Sequence, residues 1–274
     1  MKVALLDGYN LMHRARFGMK TGDSHIMFNF FRSLRPLIEE INPDKVYIVL
    51  EGYPAHRIAV DSEYKANRVI EAGTPKHAEM EEFRRQKKII IEALNHFPID
   101  VARHPHLECD DTIASLCVDV HGGDECTIVS TDTDFIQLLD NTGRIKLFNP
   151  VKKEYVSPAP YDYLLWKALR GDKTDNIPRV DGMTDKKAEK VLADSNLMSK
   201  VLQDPVLSTQ FQRNLTLVRF KTGDAGNIEI TTGNPNMTAV RYLFKEHKFY
   251  SMINDTAWGN YTKSFACLLA NSGV

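Results

Sequence analysis

"CTIVSTDTD", residues 126–134, begins as a short β-rich run and ends on two carboxylates. The runs KVALLD (2–7) and KVYIVLE (45–51) also end on an acid. Helical patterns lie between these runs, notably MFNFFRSLRPLIEEI (27–41) and EMEEFRRQKKIIIEAL (79–94). Strands that alternate with helices predict an α/β domain, in which a mostly parallel central sheet is flanked by helices.

The acids at the ends of these three runs predict a binding site. In a parallel sheet, ligands bind outside the carboxyl ends of the strands, so we expect Asp7, Glu51, Asp132 and Asp134 in one crevice. Asp7 and Glu51 each precede a glycine and also fit an ordinary turn. A turn explains Asp132 and Asp134 less well, because side chains two residues apart in an extended segment point to the same side.

A second group of acids lies in HLECDDTIASLC, residues 106–117, at the start of a predicted helix. An acid in the first helical turn is stabilised by the helix dipole and can cap the helix. This stretch has three such acids, Glu108, Asp110 and Asp111. Like charges this close destabilise a fold unless a cation neutralises them, so both helix capping and a metal site remain open for this stretch.

A third group lies in LRGDKTDNIP, residues 169–178, where Asp172 and Asp175 would be ordinary loop residues if taken singly. Hard oxygen ligands with no His or Cys nearby favour Mg²⁺ or Mn²⁺. Two such ions about 4 Å apart form the usual clamp for phosphoryl displacement. The carboxylates that the α/β prediction brings to one side are enough for two ions, and they are Asp7, Glu51, Glu108, Asp110, Asp111, Asp132, Asp134, Asp172 and Asp175.

Composition limits the class of protein. A chain of 274 residues with 43% hydrophobic content can bury a large core in one large or two modest domains. Its four cysteines show no C-x-x-C spacing, which argues against a disulfide framework or a structural zinc site and favours a reducing compartment. Since no apolar run approaches the roughly 18 residues of a membrane helix, we expect a soluble, cytoplasmic protein.

The formal net charge of −1 hides an uneven distribution. Residues 1–149 carry 18 Lys and Arg against 23 Asp and Glu, whereas residues 150–274 carry 17 against 13. With the clustered acids set aside, the rest of the protein is basic. A basic remainder predicts a polyanionic partner such as a nucleic-acid backbone.

Five motifs resemble, in order and approximate spacing, those of the 5′ nuclease superfamily: LLDGYNLMHRA (5–15), EYKANR (63–68), ECDDTIAS (108–115), STDTDFIQLL (130–139) and GDKTDNIPRVDG (171–182). That family includes flap endonucleases, the 5′-3′ exonuclease domain of bacterial DNA polymerase I and phage replication nucleases. Further along, FQRNLTLVRF (211–220) is similar to the C-terminal helical part of phage members such as the ribonuclease H of T-even phages.

The resemblance implies a metal site built from eight of the acids. It places a first ion nearer Asp7 and Glu108 and a second ion nearer Asp134, Asp172 and Asp175. Glu51 stands where the family more often has Asp, and its longer side chain can reach a metal through a water. The metal ligands that the resemblance implies are Asp7, Glu108, Asp110, Asp111, Asp132, Asp134, Asp172 and Asp175. The expected cofactor is two Mg²⁺ ions, for which Mn²⁺ can substitute.

The resemblance also implies a helical arch over the active site at about residues 53–90. Lys65 and Arg68 would engage the scissile phosphate and, with Asp132, form the candidate catalytic residues. Tyr64 could stack a terminal base, since single-strand binding commonly combines aromatic rings with basic tracks.

Residues 175–192, DNIPRVDGMTDKKAEKVL, resemble the helix-hairpin-helix with which the family grips duplex backbone. The usual glycines are replaced by Arg179 and Thr184, so the hairpin is degenerate and a K⁺ site there is left open. Lys186 and Lys187 are expected to contact nucleic acid in place of a tight backbone contact.

The domain prediction is an α/β nuclease domain over 1–165 and a C-terminal helical DNA-binding region over 166–274. Arg84, on the predicted arch, is a further nucleic-acid candidate. No polymerase domain follows within the chain, so we expect a free-standing nuclease, in the host cytoplasm if a phage encodes it.

The function that the sequence predicts is a Mg²⁺-dependent 5′-3′ exonuclease and flap endonuclease that removes RNA primers in replication. Its partners would be nicked, branched or flapped DNA, RNA-DNA hybrid, and a single-strand-binding protein or sliding clamp. Two alternatives remain open: a PIN-type ribonuclease, which shares the acid-ended strands, and a non-catalytic structure-specific nucleic-acid binding protein.

Overall fold

A computed structural model describes residues 1–20 and 22–271. The strands in this part of the chain are β1 (Lys2–Asp7), β2 (Lys45–Leu50), β3 (Asp100–Arg103), β4 (Glu125–Val129), β5 (Ile145–Asn149), β6 (Glu154–Val156) and β7 (Glu229–Thr231). They form one sheet in the order β6-β5-β4-β1-β2-β3-β7. The five inner strands are parallel and the two edge strands are antiparallel to their neighbours. The predicted α/β class with a mostly parallel sheet is confirmed, and the antiparallel edges make the sheet mixed.

Helices separate the first four strands, as the predicted alternation requires, and the other helices follow β6 and β7. In chain order they are α1 (Gly8–Ala15), α2 (His25–Ile41), α3 (Ala55–Val60), α4 (Pro75–Leu94), α5 (Cys109–Ser115), α6 (Tyr163–Arg170), α7 (Asp185–Ala193), α8 (Ser195–Gln203), α9 (Pro205–Val218), α10 (Met237–Glu246), α11 (Tyr250–Ile253), α12 (Asp255–Lys263) and α13 (Ala266–Asn271). The helices predicted at 27–41 and 79–94 are confirmed as α2 and α4. Helix α4 begins earlier than predicted because Thr74 Oγ1 caps it, accepting the His77 N–H at 3.2 Å, and Pro75 suits the first turn.

Two apolar cores cover the two faces of the sheet. On one face, helices α2 and α4 pack with the C-terminal helices in an aromatic-rich core, in which the rings of Phe31 and Phe97 stack at 5.3 Å. On the other face, α5 packs with Phe135 and Phe220. Because both faces are covered, the inner strands are nearly continuous apolar runs instead of alternating ones.

The C-terminal region contributes to two different parts of the molecule. Strand β7 extends the sheet beside β3, and α10 to α13 pack against α2, where the Tyr261 hydroxyl donates to the Phe31 carbonyl at 3.0 Å. Helices α6 to α9 form a separate cluster with one residue of the predicted arch, Tyr64. A division of the chain at residue 165 stays a prediction, and so does the helix-hairpin-helix between α6 and α7.

The sheet register brings the predicted acids to one edge. Asp7, the last residue of β1, pairs with Val49 of β2, while Leu6 pairs with Val129 of β4. The segments that follow these strands therefore emerge side by side at the carboxyl edge of the sheet. In the described part of the chain, no helix combines the length and the apolar character needed to cross a membrane.

Candidate active site

A pocket of about 530 Å³ opens at the carboxyl edge of the sheet. Four basic side chains reach its wall, those of Lys65, Arg68, Lys167 and Arg170. The carboxylates that line it are Asp7, Glu51, Asp110, Asp132, Asp134, Asp172 and Asp175. The structure thus brings together seven of the nine predicted acids, and leaves Glu108 and Asp111 outside the lining.

Asp132 and Asp134 reach the pocket by a different local structure from the one predicted. Strand β4 ends at Val129, so the two acids do not belong to an extended segment. Asp132 instead caps a short 3₁₀ helix, Thr133–Leu138, by accepting the Asp134 N–H at 2.9 Å. The tight turn still brings both carboxylates into the pocket.

One side of the pocket holds carboxylates without a cationic partner. Within the described residues, Asp7, Glu51, Asp110 and Asp132 form no ion pair. Burial raises the pKa of Asp7 to about 6, although the Asn10 N–H and the Ser130 hydroxyl, at 2.9 and 2.7 Å, favour its charged form.

Crowding adds to burial at the neighbouring acids. Burial, then the charges of Asp132 and Asp7, raises the pKa of Asp110 well above its ordinary value. Burial and then Glu108 raise the pKa of Glu51 to about 7. Raised pKa values on adjacent acids mean that the charged forms are costly until a cation enters.

The other side of the pocket is neutralised by the chain's own cations. Lys167 pairs with Asp134 and lies 2.8 Å from Asp172. Although burial opposes it, Lys167 lowers the pKa of Asp172 to about 2. At Asp134, burial outweighs the lysine and raises the pKa to about 6.

The predicted arch residues Lys65 and Arg68 cover the same side. Lys65 pairs with Glu108 and lies 3.7 Å from Asp175, and Arg68 lies 2.5 Å from Asp175. The Lys65 main chain has a φ of 56°, an uncommon left-handed conformation for a residue other than glycine. Its N–H donates to the Asp175 carbonyl at 3.0 Å, which fastens the arch to the loop that carries Asp172 and Asp175.

Arg57 is a site residue that sequence reasoning missed. Its side chain is 3% exposed, and its two terminal nitrogens donate to the Asp111 carboxylate at 2.5 and 2.8 Å. It also donates to Glu108 at 2.6 Å and to the Leu217 carbonyl of α9 at 2.7 Å. No sequence spacing marks this arginine, because its partners lie far along the chain.

Asp111 is placed away from the pocket. It is 0% exposed, and it also accepts the Glu108 and Lys221 N–H groups at 3.3 and 2.8 Å. Its carboxylate is therefore fully used as a helix cap and as the partner of Arg57. This arrangement gives no support to the metal-ligand role predicted for Asp111.

Tyr64 is also placed differently from the prediction. It is 7% exposed and packs in the cluster of α6 to α9. Its hydroxyl donates to Glu108 at 2.9 Å and lies 3.2 Å from Asp175. Base stacking needs an exposed ring face, so the stacking role predicted for Tyr64 is not available in this conformation, and its hydroxyl instead holds two carboxylates in position.

The remaining nucleic-acid candidates are exposed. Lys186 and Lys187 lie in the first turns of α7, and Lys187 Nζ donates to the Gly182 carbonyl at 3.0 Å. Thr184, one of the two residues predicted to replace a hairpin glycine, caps α7 by accepting the Lys187 N–H at 3.2 Å. Arg84 is exposed on α4 and pairs with a glutamate one turn away, as expected for a solvated helix face.

The pocket's donor set suits a hard divalent cation. The acids without an ion-pair partner supply oxygen ligands, as Mg²⁺ and Mn²⁺ prefer, and burial raises the pKa values of three of them, Asp7, Glu51 and Asp110. Across residues 1–20 and 22–271, however, no three His, Cys, Asp or Glu side chains stand close enough to form a ready-made metal centre. A metal ion in this pocket would therefore require some adjustment of the side chains.

Solved structures of other proteins share this fold. The bacteriophage T5 flap endonuclease, solved as a complex with DNA and metal ions, matches with a TM-score of 0.65 at 20% identity over 80% of this chain and 89% of its own. Flap endonuclease-1 from Methanococcus jannaschii matches with a TM-score of 0.61 at 16% identity, over 98% of this chain and 93% of its own. At these identities the likeness shows the fold alone.

Sequence relatives are longer proteins. DNA polymerase I of Thermus filiformis is 25% identical over 283 residues, which cover 93% of this chain and 33% of the relative. DNA polymerase I of Synechocystis is 30% identical over 230 residues, which cover 73% of this chain and 22% of the relative. The chain therefore spans a third or less of the length of these relatives.

The family model described as "5′-3′ exonuclease, N-terminal resolvase-like domain" matches residues 2–162. The match contains all the predicted acids except Asp172 and Asp175, together with the arch residues. It covers more than half of the chain, which belongs to the family of 5′-3′ exonuclease N-terminal domains.

Proposed function

We propose that the chain hydrolyses phosphodiester bonds near the 5′ end of a DNA or RNA strand on duplex DNA, as a metal-dependent 5′-3′ exonuclease and flap endonuclease. The observation that carries the proposal is the acidic pocket at the sheet edge, with Lys65 and Arg68 at its wall. Carboxylates alone would repel a phosphodiester. Paired with cations at the rim, they suit a site that holds a metal and a phosphate together.

Two groups of acids would hold the two metal ions. Asp7, Asp110 and Asp132, with Glu51 beside them, would hold a divalent ion, since among residues 1–20 and 22–271 they form no ion pair. Such an ion, when bound, supplies an activated water and stabilises the charge that develops on the phosphate. Asp134, Asp172 and Asp175 would contribute to a second site, for Mg²⁺ or Mn²⁺, which completes the two-ion site that we propose.

The arch cations would bind the phosphate. Lys65 and Arg68 now pair with Glu108 and Asp175, and a metal ion held by Asp175 would compete with both cations for that carboxylate. Their charged groups then lie at the pocket wall, where they can stabilise a phosphate electrostatically. Tyr64 would position Glu108 and Asp175 during this exchange, since its hydroxyl contacts both.

The wider substrate proposal is primer removal in replication. Flapped, nicked or branched DNA and RNA-DNA hybrid are the proposed substrates, and exposed Arg84, Lys186 and Lys187 are proposed contacts to the backbone. A single-strand-binding protein or sliding clamp is a proposed partner. The T5 enzyme was solved with DNA and human GEN1 with a Holliday junction, which supports branched DNA as a substrate class for this chain.

A substrate comparison tests the proposal. The protein is incubated in Mg²⁺ with three labelled nucleic acids: a 5′-flap DNA duplex, the same duplex with an RNA 5′ strand, and single-stranded RNA of equal length. We expect cleavage near the flap junction or stepwise from the 5′ end of the first two. Preferential cleavage of the single-stranded RNA supports the PIN-type alternative, and binding without cleavage in Mg²⁺ and Mn²⁺ supports the non-catalytic one.

A further inference from the structure

Lys167 is a buried cation inside the acidic pocket. Its side chain is 5% exposed, whereas those of Lys65 and Arg68 are 20% and 53% exposed. Its ammonium pairs with Asp134 and lies 2.8 Å from Asp172. The arch cations therefore have a route to solvent, but the Lys167 ammonium remains between two of the pocket acids.

The fold fixes Lys167 in this position. It lies on α6, whose next two residues, Ala168 and Leu169, are fully buried. Asp162 caps the helix, accepting the Leu165 N–H at 2.9 Å. Asn214 of α9 donates to the Ala168 carbonyl at 3.0 Å, which ties the lysine's helix turn to the neighbouring helix. The base of the Lys167 side chain is therefore held by a fixed backbone, and its ammonium is held by its two carboxylate partners.

The two sides of the pocket consequently differ in charge balance. In the described part of the chain, the side formed by Asp7, Asp110 and Asp132 has no ion-pair partner, so no ammonium or guanidinium paired with these acids opposes an entering divalent ion. At the other side, an entering ion meets Asp134 and Asp172 already paired with an ammonium. Because like charges a few ångströms apart repel each other, a divalent ion beside the Lys167 ammonium should bind more weakly than one on the opposite side of the pocket.

We propose that Lys167 is a positioning residue that holds Asp134 and Asp172 together in the metal-free protein and lowers the affinity of that side of the pocket for a divalent ion. The proposal rests on the proposed function in one respect, because it takes the pocket to bind divalent metal. It goes further by assigning unequal affinities to the two sides and by naming the residue that makes them unequal.

Metal binding without nucleic acid tests the proposal. Isothermal titration with Mn²⁺ is carried out on the wild-type protein and on Lys167→Met, which keeps the length of the side chain and removes its charge. The matched control is Lys173→Met, which removes an exposed lysine next to Asp172. We expect one tight and one weak binding event in the wild type and in the control. In Lys167→Met the weak event should become at least tenfold tighter.

A charge-conserving variant separates electrostatics from packing. Lys167→Arg keeps the positive charge, so its weak event should stay within about threefold of wild type. The proposal is overturned if Lys167→Met binds the same number of ions with the same affinities as wild type. It is equally overturned if Lys167→Arg gains affinity as much as Lys167→Met does, because the gain would then come from altered packing.

Thermal unfolding covers the case in which Lys167→Met is too unstable for titration. Without metal, the variant should unfold at a lower temperature than wild type, because the partly buried carboxylates of Asp134 and Asp172 lose their shared partner. Mn²⁺ should then raise its unfolding temperature by more than it raises that of wild type. An equal rise in both proteins contradicts the proposal.

Failure of this inference and failure of the proposed function give different results. A wild-type protein that cleaves a flap, together with a Lys167→Met variant that gains no metal affinity, contradicts the role of Lys167 alone. A wild-type protein that binds Mn²⁺ unequally and cleaves no nucleic acid contradicts the nuclease proposal and leaves the role of Lys167 in place.

Discussion

Replacing Arg57 by methionine should destabilise the protein more than any change at an exposed ion pair. The variant removes the partner of Asp111, which is fully buried, and one of the partners of Glu108. Breaking a buried ion pair from one side typically costs about 3–5 kcal/mol, because the remaining charge is left without a partner. The lost hydrogen bond to the Leu217 carbonyl also loosens the contact between α3 and α9.

Urea and thermal unfolding without metal measure this effect. For a chain of this size, a loss of 3–5 kcal/mol corresponds to a fall of roughly 5–9 °C in the unfolding temperature. The matched control is Arg35→Met, which breaks an exposed pair with Glu39 one helix turn away. Such a pair contributes about 0.3–0.5 kcal/mol, so the control should unfold within about 2 °C of wild type.

A double variant tests the reason for the loss. Asp111→Asn should be destabilising alone, since it leaves the Arg57 charge buried without its main partner. Combined with Arg57→Met, it should cost less than the sum of the two single changes by about 1–3 kcal/mol, because each change removes what the other leaves unpaired. Additive losses, or an Arg57→Met variant as stable as the exposed control, would refute the assignment of Arg57 and Asp111 as a buried structural pair.

Three further outcomes follow from the site. In titrations with Mn²⁺, Asp111→Asn should keep an affinity within about threefold of wild type, whereas Asp132→Asn should weaken the affinity on the order of tenfold to 100-fold. Equal effects of the two changes would indicate that Asp111 is a metal ligand. Mg²⁺ at about 100 times its dissociation constant should stabilise the fold by about 2.7 kcal/mol in thermal unfolding, and EDTA should reverse the gain; an unfolding temperature insensitive to Mg²⁺ contradicts metal binding by the folded pocket. Burial and then Arg16 and Lys87 lower the pKa of His13 to about 4, so the folded protein binds fewer protons than the unfolded chain. The free energy of unfolding should therefore fall by about 1 kcal/mol between pH 7 and pH 5. This value is smaller than the full pKa shift implies, because solvent screens a half-buried ring. In urea unfolding, the stability of His13→Gln should fall less than that of wild type over this pH range. If the variant and wild type show the same pH profile, the ring does not titrate in this way.

The sequence predicted the fold and the position of the pocket because both depend on chain direction. Parallel strands all end at the same edge of a sheet, so acids that follow Leu6, Leu50 and Val129 had to meet. This inference needs no knowledge of side-chain packing. The detail at Asp132 and Asp134 differed, since their own capping hydrogen bond turned the chain after β4 ended.

The sequence could not separate Asp110 from Asp111. Successive residues of an α-helix point about 100° apart, so only one of two neighbouring acids can face a given pocket. Asp110 lines the pocket, and Asp111 faces Arg57. Which of them does so depends on how the first turn of α5 is oriented against the sheet, and spacing within the motif does not encode that orientation.

The internal cations were missed for a related reason. Arg57 is 51 residues from Glu108 and 160 from Leu217 along the chain, and Lys167 is 33 residues from Asp134. Nothing in the local sequence distinguishes these two from lysines and arginines that face water. The burial of Tyr64 could not be predicted either, because it depends on the docking of the arch against α6 to α9, and its predicted stacking role stays a prediction.

The central claim is that the carboxylate pocket is a metal-dependent phosphodiesterase site. The most direct test is the rate at which wild type, Asp132→Ala and Glu40→Gln cleave a 5′-labelled flap duplex in Mg²⁺, with EDTA as the metal-free control. Glu40 is exposed on α2 and outside the pocket, so it controls for the loss of one acid. We predict that wild type and Glu40→Gln cut near the junction at similar rates, that EDTA abolishes cleavage, and that Asp132→Ala is slower by on the order of 100-fold or more while remaining folded. Cleavage by Asp132→Ala at the wild-type rate, or a wild-type protein that binds the flap and leaves it intact in both Mg²⁺ and Mn²⁺, would contradict the claim.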